Sequence, residues 1–358
     1  MTGPAPDDAQ AVRPDDAFDV PAVDHWLKDH IDGLNGTPAV RQFSGGASNL
    51  TYLISYPDRQ LVLRRPPAGA RAGTAHDMAR EYRVQRLLKP SFPEVPTVLA
   101  LCQDPQVLGT DFYVMDRIAG WVPRSRMPAG LRLDAAQAHR LGIGAVGTLA
   151  RLHGVDPVRA GLADLGRGPG YVRRQVDGWT GRYRHARTPN VPGFRRVTDW
   201  LAAEAPDDTG ACVIHNDFRL DNLVLSPEDP TRVIGVLDWE LATIGDPLLD
   251  LGSSLAYWVQ ADDPAIMRWL RRQPTNLPGM PTRRQVLEHY ADITGRDVGH
   301  WTFYEVFGLF RIAAIAQQIY HRYYHRQTTN PAFKNFWLAV AYLDWRCTRL
   351  IAASRRGR

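Results

Sequence analysis

The polar residues that identify the fold lie between residues 213 and 240. Residues 213–225 read VIHNDFRLDNLVL, and residues 233–240 read VIGVLDWE. Each part contains a short apolar run of β-forming residues, and a carboxylate stands directly before or after that run. Two such runs predict a small hairpin that brings Asp217, Asn222 and Asp238 together at one end.

The spacing of these three residues suits chemistry on a phosphate bound to Mg²⁺. Phosphoryl transfer needs a carboxylate near the attacking hydroxyl and oxygen ligands that hold the metal on the phosphates. Asp and Asn side chains supply hard oxygen donors of that kind. An Asp followed five residues later by an Asn, with a second Asp after a hairpin, is the arrangement of protein kinases.

Outward from this stretch, the chain changes from a β-rich half to a helical half. Short β-rich runs predict five antiparallel strands, with a helix at about 74–88 between the third and the fourth and a short helix at 23–34 before them. The predicted strands are 40–43, 50–56, 60–65, 97–101 and 111–118. From residue 131 onward the apolar residues follow helical spacing. The predicted division is a loose N-terminal tail at 1–22, a small α+β lobe at 23–119 and a large, mainly helical lobe at 120–358.

The motifs resemble those of the aminoglycoside phosphotransferase and choline kinase-like family, the small-molecule branch of the kinase-like fold. The first motif is His215-x-Asp217-x-x-x-x-Asn222, and the second, which begins at Asp238, reads DWE and lacks the Phe-Gly of protein kinases. Three further segments, FSGGASN at 43–49, LVLRRPP at 61–67 and HDMAREY at 76–82, resemble the subfamily of kinase domains fused to some acyl-CoA dehydrogenases. The similarity runs from about residue 38 to about residue 325. It implies a bilobal, protein-kinase-like fold with a nucleotide-binding N-terminal lobe and a C-terminal lobe for catalysis and substrate binding.

The resemblance also implies roles for the polar residues. Asp217 is expected to orient and deprotonate the substrate hydroxyl as catalytic base, with a turn-capping aspartate as the alternative. Asn222 and Asp238 are expected to be the Mg²⁺ ligands, with ATP as the phosphate donor. His215 is expected to buttress the loop, and Asp250 to brace it by hydrogen bonds.

The main departure from the family pattern concerns a lysine. Most kinases place a lysine on the third strand to meet the α- and β-phosphates, and a glutamate on the next helix holds it. The chain has three lysines, and none lies at 60–65, so Arg64 is expected to take the role with Glu81 as its partner. Strand alternation puts Arg64 and Arg65 on opposite faces, and only one of them can face the phosphates. The alternative is a pseudokinase in which Arg64 is a surface charge.

The other residues expected to bind nucleotide act through their backbone. Gly45, Gly46 and Ser48 would let amides approach the phosphates, and an ordinary hairpin turn is the alternative. Asp116 and Ile118, in the connection between the lobes, are expected to bind adenine.

The distribution of charge guides the choice of acceptor. The chain has 43 Lys+Arg and 38 Asp+Glu, a net charge of +5, and 40 of the 43 cations are arginine. Residues 251–358 hold 15 of these cations against 7 Asp+Glu, together with 17 of the 34 aromatic residues. Aminoglycoside kinases need acidic residues facing their polycationic sugars. A small hydroxylated anion, either a hydroxy acid or a hydroxyacyl-CoA, is therefore favoured over an aminoglycoside or an amino alcohol.

Four residues are expected to bind this acceptor: Arg173, Arg219, Arg311 and Tyr320. Arg311 could instead form an ion pair between helices. Arg219 could instead be a solvated loop arginine.

Composition also bears on location and on partners. Three widely spaced cysteines without a CxxC pattern favour a reducing, cytoplasmic compartment. Residues 1–19 lack the layout of a signal peptide, and no apolar run approaches the length of a membrane span. The dispersed cations form no basic helix, so a nucleic-acid-binding protein is a remote alternative. Monomer and homodimer both remain open.

Overall fold

The structure, a computed structural model, describes residues 9–43, 49–67 and 76–356. Its contacts divide the chain into two units. The first unit consists of Met1–Val122, Val158–Leu162 and Leu223–Ala242, and the second of Pro123–Pro157, Ala163–Asn222 and Thr243–Arg358.

An antiparallel sheet of six strands, in the spatial order β1-β2-β3-β4-β6-β5, forms the centre of the first unit. The strands are β1 (Ala9–Gln10), β2 (Ala39–Phe43), β3 (Leu50–Ser55), β4 (Gln60–Arg65), β5 (Val98–Cys102) and β6 (Phe112–Asp116). The predicted α+β fold class is confirmed. The sheet has one strand more than predicted because β1 pairs with β2, with Ala9 opposite Phe43 and Gln10 opposite Gln42. This extra strand lies within residues 1–22, where a loose tail was predicted.

In the described part of the first unit, the α-helices are α1 (Val20–His30), α2 (Met78–Leu88) and α3 (Pro105–Leu108). α2 begins at Met78 because the side chain of Asp77 accepts a hydrogen bond from the amide of Arg80 at 2.8 Å. Thr74, where this helix was expected to start, lies outside the described residues.

Alternation along β4 separates two apolar layers. The layer that includes Leu61 and Leu63 also contains apolar residues of α1, and the layer that includes Val62 contains Met78 of α2. Because side chains on a strand alternate between faces, Arg64 faces α2 with Val62. The adjacent arginine faces the other side.

The stretch that carries the motifs forms two separate strand pairs. β8 (Leu223–Leu225) and β9 (Val233–Val236) make the expected hairpin in the first unit, with Leu223 opposite Val236. The apolar run before Asp217 pairs elsewhere. It forms β7 (Cys212–Ile214), which lies antiparallel to β10 (Thr243–Gly245) in the second unit.

Eight helices make up most of the second unit as the structure describes it. They are α4 (Ala135–His153), α5 (Tyr171–Ala186), α6 (Arg195–Ala203), α7 (Pro247–Ala256), α8 (Ala265–Leu270), α9 (Arg283–Thr294), α10 (Trp301–Tyr324) and α11 (Phe336–Ser354). α10, with 24 residues, packs against α5, α7 and α11. Within the described ranges, none of the helices is long and apolar enough to span a membrane.

Glycine at two positions lets α7 and α10 approach closely. A Cβ atom on Gly308 would lie 2.4 Å from the carbonyl oxygen of Gly252, and one on Gly252 would lie 2.7 Å from the carbonyl oxygen of Tyr304. Both obstacles are backbone atoms, which cannot turn aside as a flexible side chain can. The position of α7, which carries Asp250, therefore depends on this contact.

We expect Gly308→Ala to lower the free energy of unfolding by about 1–3 kcal/mol, because the added methyl group forces the two helices apart. Gly147→Ala on α4 is the matched control, since an added Cβ there meets nothing within 4 Å. That control should be neutral or slightly stabilising. Urea denaturation of both variants checks the prediction, and equal stability of the two would contradict it.

Candidate active site

Arg64 lies at the centre of a buried cluster of charges in the first unit. Its Nη2 donates to Oδ1 of Asp238 at 2.9 Å, and its Nε lies 3.4 Å from Oε1 of Glu81. Nη2 is also 3.8 Å from Oε2 of Glu240. The side chain of Arg64 is only 10% exposed, so water screens these attractions weakly. Arg64 therefore joins β4, α2 and the segment after β9.

Hydrogen bonds from Tyr113 and Gln85 orient the carboxylate of Glu81 next to Arg64. The hydroxyl of Tyr113 donates to Oε1 of Glu81 at 2.7 Å, and Gln85 donates to that hydroxyl at 3.0 Å. Burial alone would lower the pKa of Arg64, but the carboxylates of Glu81 and Asp238 raise it well above its ordinary value. The guanidinium is thus a fixed positive charge beside Asp238.

Asp238 itself has an unusual backbone. Its φ is +69°, in the left-handed region that few residues other than glycine and asparagine adopt readily. The ion pair with Arg64 contributes to holding Asp238 in this conformation. The side chain remains about 30% exposed, so the carboxylate is both oriented and accessible.

Glu240 is a member of this cluster to which the sequence had given no role. Its Oε2 accepts a hydrogen bond from Nδ2 of Asn49 at 3.0 Å, and its backbone carbonyl accepts one from Nη1 of Arg80 at 3.1 Å. Nδ1 of His76 lies 3.0 Å from Oδ1 of Asn49. The available signal was that Asn49, His76 and Arg80 all lie in the segments that carry the family resemblance.

Arg65 has different partners on the opposite face of β4. Its Nε and Nη2 donate to the hydroxyl of Tyr52 at 3.1 and 2.9 Å, and Nη2 also donates to the carbonyl of Asp16 at 2.8 Å. These bonds tie β4 to β3 and to the chain before α1. Arg65 is therefore placed to stabilise the sheet.

The other predicted nucleotide-binding residues are less informative. Asp116 ends β6, where its amide donates to the carbonyl of Thr97 at 2.9 Å and its Oδ1 accepts two hydrogen bonds from Arg59. Ile118 lies close to β9, since a Cβ on Gly235 would come within 2.7 Å of its Cδ1. The adenine-binding role of these two residues stays a prediction.

The expected phosphate-binding loop cannot be placed. Gly45, Gly46 and Ser48 lie outside the described residues.

In the second unit, Asp250 on α7 holds the start of the 215–222 loop. Its Oδ2 accepts from the amide of His215 at 2.9 Å, and its Oδ1 accepts from the amide of Asn216 at 2.8 Å. Nε2 of His153 lies 3.1 Å from Oδ2. Burial would raise the pKa of Asp250, but the hydrogen bond and charge of His153 and the bond from His215 lower it below its ordinary value. The brace is thus a buried carboxylate.

Asn216 lies between this brace and Asp217. Its backbone is in the left-handed region, with φ at +65°. Its side-chain Oδ1 accepts from the hydroxyl of Tyr171 at 3.0 Å, and its carbonyl accepts from Nη2 of Arg311 at 2.6 Å. Asparagine tolerates this backbone region better than most residues. Contacts on the amide, side chain and carbonyl therefore fix the direction in which the chain enters Asp217.

Asp217 is held through one of its two carboxylate oxygens. Oδ2 lies 3.1 Å from Nδ2 of Asn222 and 3.2 Å from Nη2 of Arg219. Nδ2 of Asn222 also donates to the carbonyl of Asp217 at 2.9 Å. Arg219 reaches Asp221 as well and stacks on the ring of Tyr257. Arg219 thus forms an ion pair with the carboxylate of Asp217.

Of the four predicted acceptor-binding residues, Arg219 and Arg311 bind the 215–222 loop, whereas Tyr320 and Arg173 form no hydrogen bond with it in the described structure. Arg311 lies beside the loop and makes no ion pair with the described residues, so the interhelical ion pair is not present. Tyr320 lies nine residues further along α10, about 13 Å of helix rise away, and accepts a hydrogen bond from Asn190. Arg173 on α5 is exposed and donates to the carbonyl of Ala202 at 3.4 Å.

Comparison with known proteins gives matches over most of the chain. A model of the phosphotransferase enzyme family matches residues 39–286. Acyl-CoA dehydrogenase family member 10 from Mus musculus is 38% identical over 303 residues, which are 83% of this chain and 28% of that protein. Acyl-CoA dehydrogenase family member 11 from Rattus norvegicus is 35% identical over 325 residues, 88% of this chain and 41% of that protein. The chain thus spans well under half the length of these relatives.

Solved structures give the same result. A protein from Ralstonia eutropha, provisionally described as an aminoglycoside phosphotransferase, is 30% identical with a TM-score of 0.78, and the match covers 93% of this chain and 99% of that one. A mutant of the aminoglycoside phosphotransferase APH(4)-Ia, solved with AMP-PNP and hygromycin B, is 15% identical with a TM-score of 0.56 over 92% and 98% of the two chains. At that identity the second likeness concerns the fold alone.

We expect Asp250→Asn to lower the free energy of unfolding by about 3 kcal/mol, because an NH₂ group would replace an oxygen that accepts from a buried amide. Asp344→Asn on α11 is a control of opposite sign. Burial raises the pKa of Asp344, so removing its charge should leave stability unchanged or raise it. Urea denaturation at pH 7 compares the two, and equal losses would contradict the prediction.

The same pair gives a pH dependence. Because folding lowers the pKa of Asp250, its contribution is complete above the unfolded value of about 3.8 and is lost as the pH falls through the folded value. The stability difference between the wild type and Asp250→Asn should therefore shrink as the pH falls below 4. A difference that stayed the same or grew below pH 4 would be incompatible with an ionised Asp250.

Proposed function

Because the chain belongs to the phosphotransferase enzyme family, it is a small-molecule kinase, and we propose that it transfers the γ-phosphate of ATP to a hydroxyl of an anionic acceptor. The acceptor class is a hydroxy acid or a hydroxyacyl-CoA, and Asp217 is the catalytic base.

The observation that carries the proposal is the position of the Asp217 carboxylate. Asn222 and Arg219 both bind Oδ2, and among the described residues no hydrogen bond or ion pair reaches Oδ1. The side chain is 20% exposed. Asp217 is therefore oriented through one oxygen while the other is available to accept the proton of an acceptor hydroxyl.

The residues present also suit a bound Mg²⁺. The amide hydrogens of Asn222 are directed to Asp217, which leaves Oδ1 of Asn222 as the oxygen that could bind a metal. Asp238 supplies an accessible carboxylate, and both groups are hard oxygen donors. When bound, Mg²⁺ neutralises charge on the transferred phosphate. The order of motifs in the family supports the assignment of Asn222 and Asp238 to one metal-nucleotide.

Arg64 supports the choice of nucleotide donor. A buried guanidinium that lies beside Glu81 of the next helix has the carboxylate partner that a strand lysine has in kinases. The AMP-PNP complex of APH(4)-Ia shows an ATP analogue bound to a protein of the same fold. We therefore assign ATP as the donor, with Arg64 directed to its phosphates.

The acceptor class rests on charge and on the relatives. Residues 251–358 carry 15 Lys+Arg against 7 Asp+Glu, which favours an anion over a polycationic sugar. The names of the relatives from Mus musculus and Rattus norvegicus refer to acyl-CoA chemistry, which is consistent with a hydroxyacyl acceptor. The name of the Ralstonia protein keeps an aminoglycoside as the second candidate.

Three cysteines support a reducing, cytoplasmic location within this proposal. Cys102, Cys212 and Cys347 are free and buried, and burial raises the pKa of each thiol.

We expect Asp217→Asn to lower kcat by a factor of about 10² to 10⁴, because the acceptor hydroxyl loses its base. The affinity for Mg-ATP should stay within about threefold. Asp292→Asn, at an exposed position of α9, is the control for loss of a carboxylate, with activity close to that of the wild type. Retention of full activity by Asp217→Asn would refute the assignment of the base.

The acceptor class is tested with a panel that contains a hydroxy acid, hydroxyacyl-CoA thioesters, an amino alcohol and an aminoglycoside. Transfer of the ³²P label from γ-labelled ATP should be fastest to the anionic acceptors. Transfer to the aminoglycoside alone would overturn the proposed substrate class but leave the kinase activity in place.

A further inference from the structure

Two arginines share one indole ring beside the 215–222 loop. On α5, the guanidinium carbon of Arg182 lies 3.9 Å from the centroid of the Trp179 ring, one helical turn away. On α10, the guanidinium carbon of Arg311 lies 5.3 Å from the centroid of the same ring. Two positively charged side chains of the second unit therefore contact the same indole ring, that of Trp179.

Among the described residues, no ion pair includes Arg182 or Arg311, so neither charge has a carboxylate partner there. Arg311 is 93% buried, since its exposure is 7%, and its Nε has no hydrogen-bond partner among the described residues. The pKa of Arg182 is lowered, first by partial desolvation of its guanidinium and second by the positive charge of Arg311. A second positive charge next to a buried one is unfavourable unless an anion is present.

The pair lies next to the residue proposed as catalytic base. Nη2 of Arg311 donates at 2.6 Å to the carbonyl of Asn216, and that carbonyl belongs to the peptide that joins Asn216 to Asp217. Arg182, by contrast, forms no hydrogen bond or ion pair with the loop in the described structure and is exposed. One cation is therefore anchored at the loop, and the other is accessible to a ligand.

We infer that Arg182 and Arg311, positioned by Trp179, form the site that binds an oxyanion of the acceptor. This inference rests on the proposed function and names the residues that select the anionic substrate class. The oxyanion is the carboxylate of a free hydroxy acid or a phosphate of its CoA thioester, and planar guanidinium groups bind both. The anion offsets the repulsion between the arginines. Because Arg311 is hydrogen-bonded to the carbonyl of Asn216, an acceptor bound to Arg311 stays near Asp217.

The test measures KM and kcat for three acceptors that share a short carbon chain. These are 3-hydroxybutanoate, 3-hydroxybutanoyl-CoA and the neutral 1,3-butanediol. We expect Arg182→Gln to raise KM about ten- to hundredfold for the acceptor that carries the recognised oxyanion, as loss of one charge-assisted hydrogen bond implies. Its kcat, and both constants for butanediol, should change by less than about threefold.

The two anionic acceptors distinguish the sources of the oxyanion. An effect on 3-hydroxybutanoate indicates recognition of the carboxylate, and an effect confined to 3-hydroxybutanoyl-CoA indicates a phosphate of CoA. Arg182→Lys should restore part of the affinity, because it keeps the charge without the planar fork.

A matched control is available on α11. Arg349 stacks on Trp345 at 5.1 Å, and Arg349→Gln removes the same kind of stacked arginine from a helix that forms no hydrogen bond with the 215–222 loop in the described part of the chain. This variant should behave as the wild type with all three acceptors. Equal effects of Arg182→Gln and Arg349→Gln, or an equal rise in KM for butanediol, would overturn the inference.

Calorimetric binding of the same three compounds without nucleotide separates this inference from the proposed function. If the wild type binds the anions through Arg182 but transfers no phosphate to them, the proposed function fails and the oxyanion site stands. If the wild type transfers phosphate but Arg182→Gln binds and reacts normally, the oxyanion site fails and the kinase stands. Failure of the wild type to bind either anion also overturns the site.

Discussion

The arrangement of β4, α2 and Asp238 in the first unit depends on the ion pairs that the buried guanidinium of Arg64 makes with Glu81 and Asp238. Arg64 lies on β4, and its carboxylate partners come from α2 and from the segment after β9, which are far apart in sequence. A charge in this position must be compensated, because burying an unpaired ion costs several kcal/mol. The sheet, α2 and the end of the β8-β9 hairpin are therefore held together by one electrostatic requirement. The same requirement orients Asp238.

The second unit uses the reverse arrangement, a buried carboxylate that binds backbone amides. Asp250 accepts from two consecutive amides of the 215–222 loop, and Arg311 binds the carbonyl that follows. Asn216 and Asp238 both adopt left-handed backbone conformations, and each has contacts that offset the strain. The carboxylates proposed as functional, Asp217 and Asp238, thus lie in or next to short strained segments that buried charges hold in place.

Much of this could be predicted from the sequence, because local patterns determine it. The α+β class, the kinase-like family and the separation of Arg64 from Arg65 follow from motif spacing and from alternation along a strand. Long-range pairing could not be predicted in the same way. The apolar run before Asp217 looks like a hairpin strand, but its partner, β10, lies beyond the hairpin. Trp179 carried no sequence signal, since its relation to Arg311 arises only when α5 packs against α10.

If Arg64 takes the place of the strand lysine of kinases, it binds the phosphates of ATP, and calorimetric titration with Mg-ATP measures that contact. Three variants are needed: Arg64→Met, Arg64→Lys and Arg65→Met, each measured well below its unfolding temperature. Arg64→Met should weaken binding at least tenfold, since it removes a charge-assisted contact with phosphate. Arg64→Lys should retain most of the affinity, and Arg65→Met should bind as the wild type. Unchanged affinity in Arg64→Met, or an equal loss in Arg65→Met, would contradict the account.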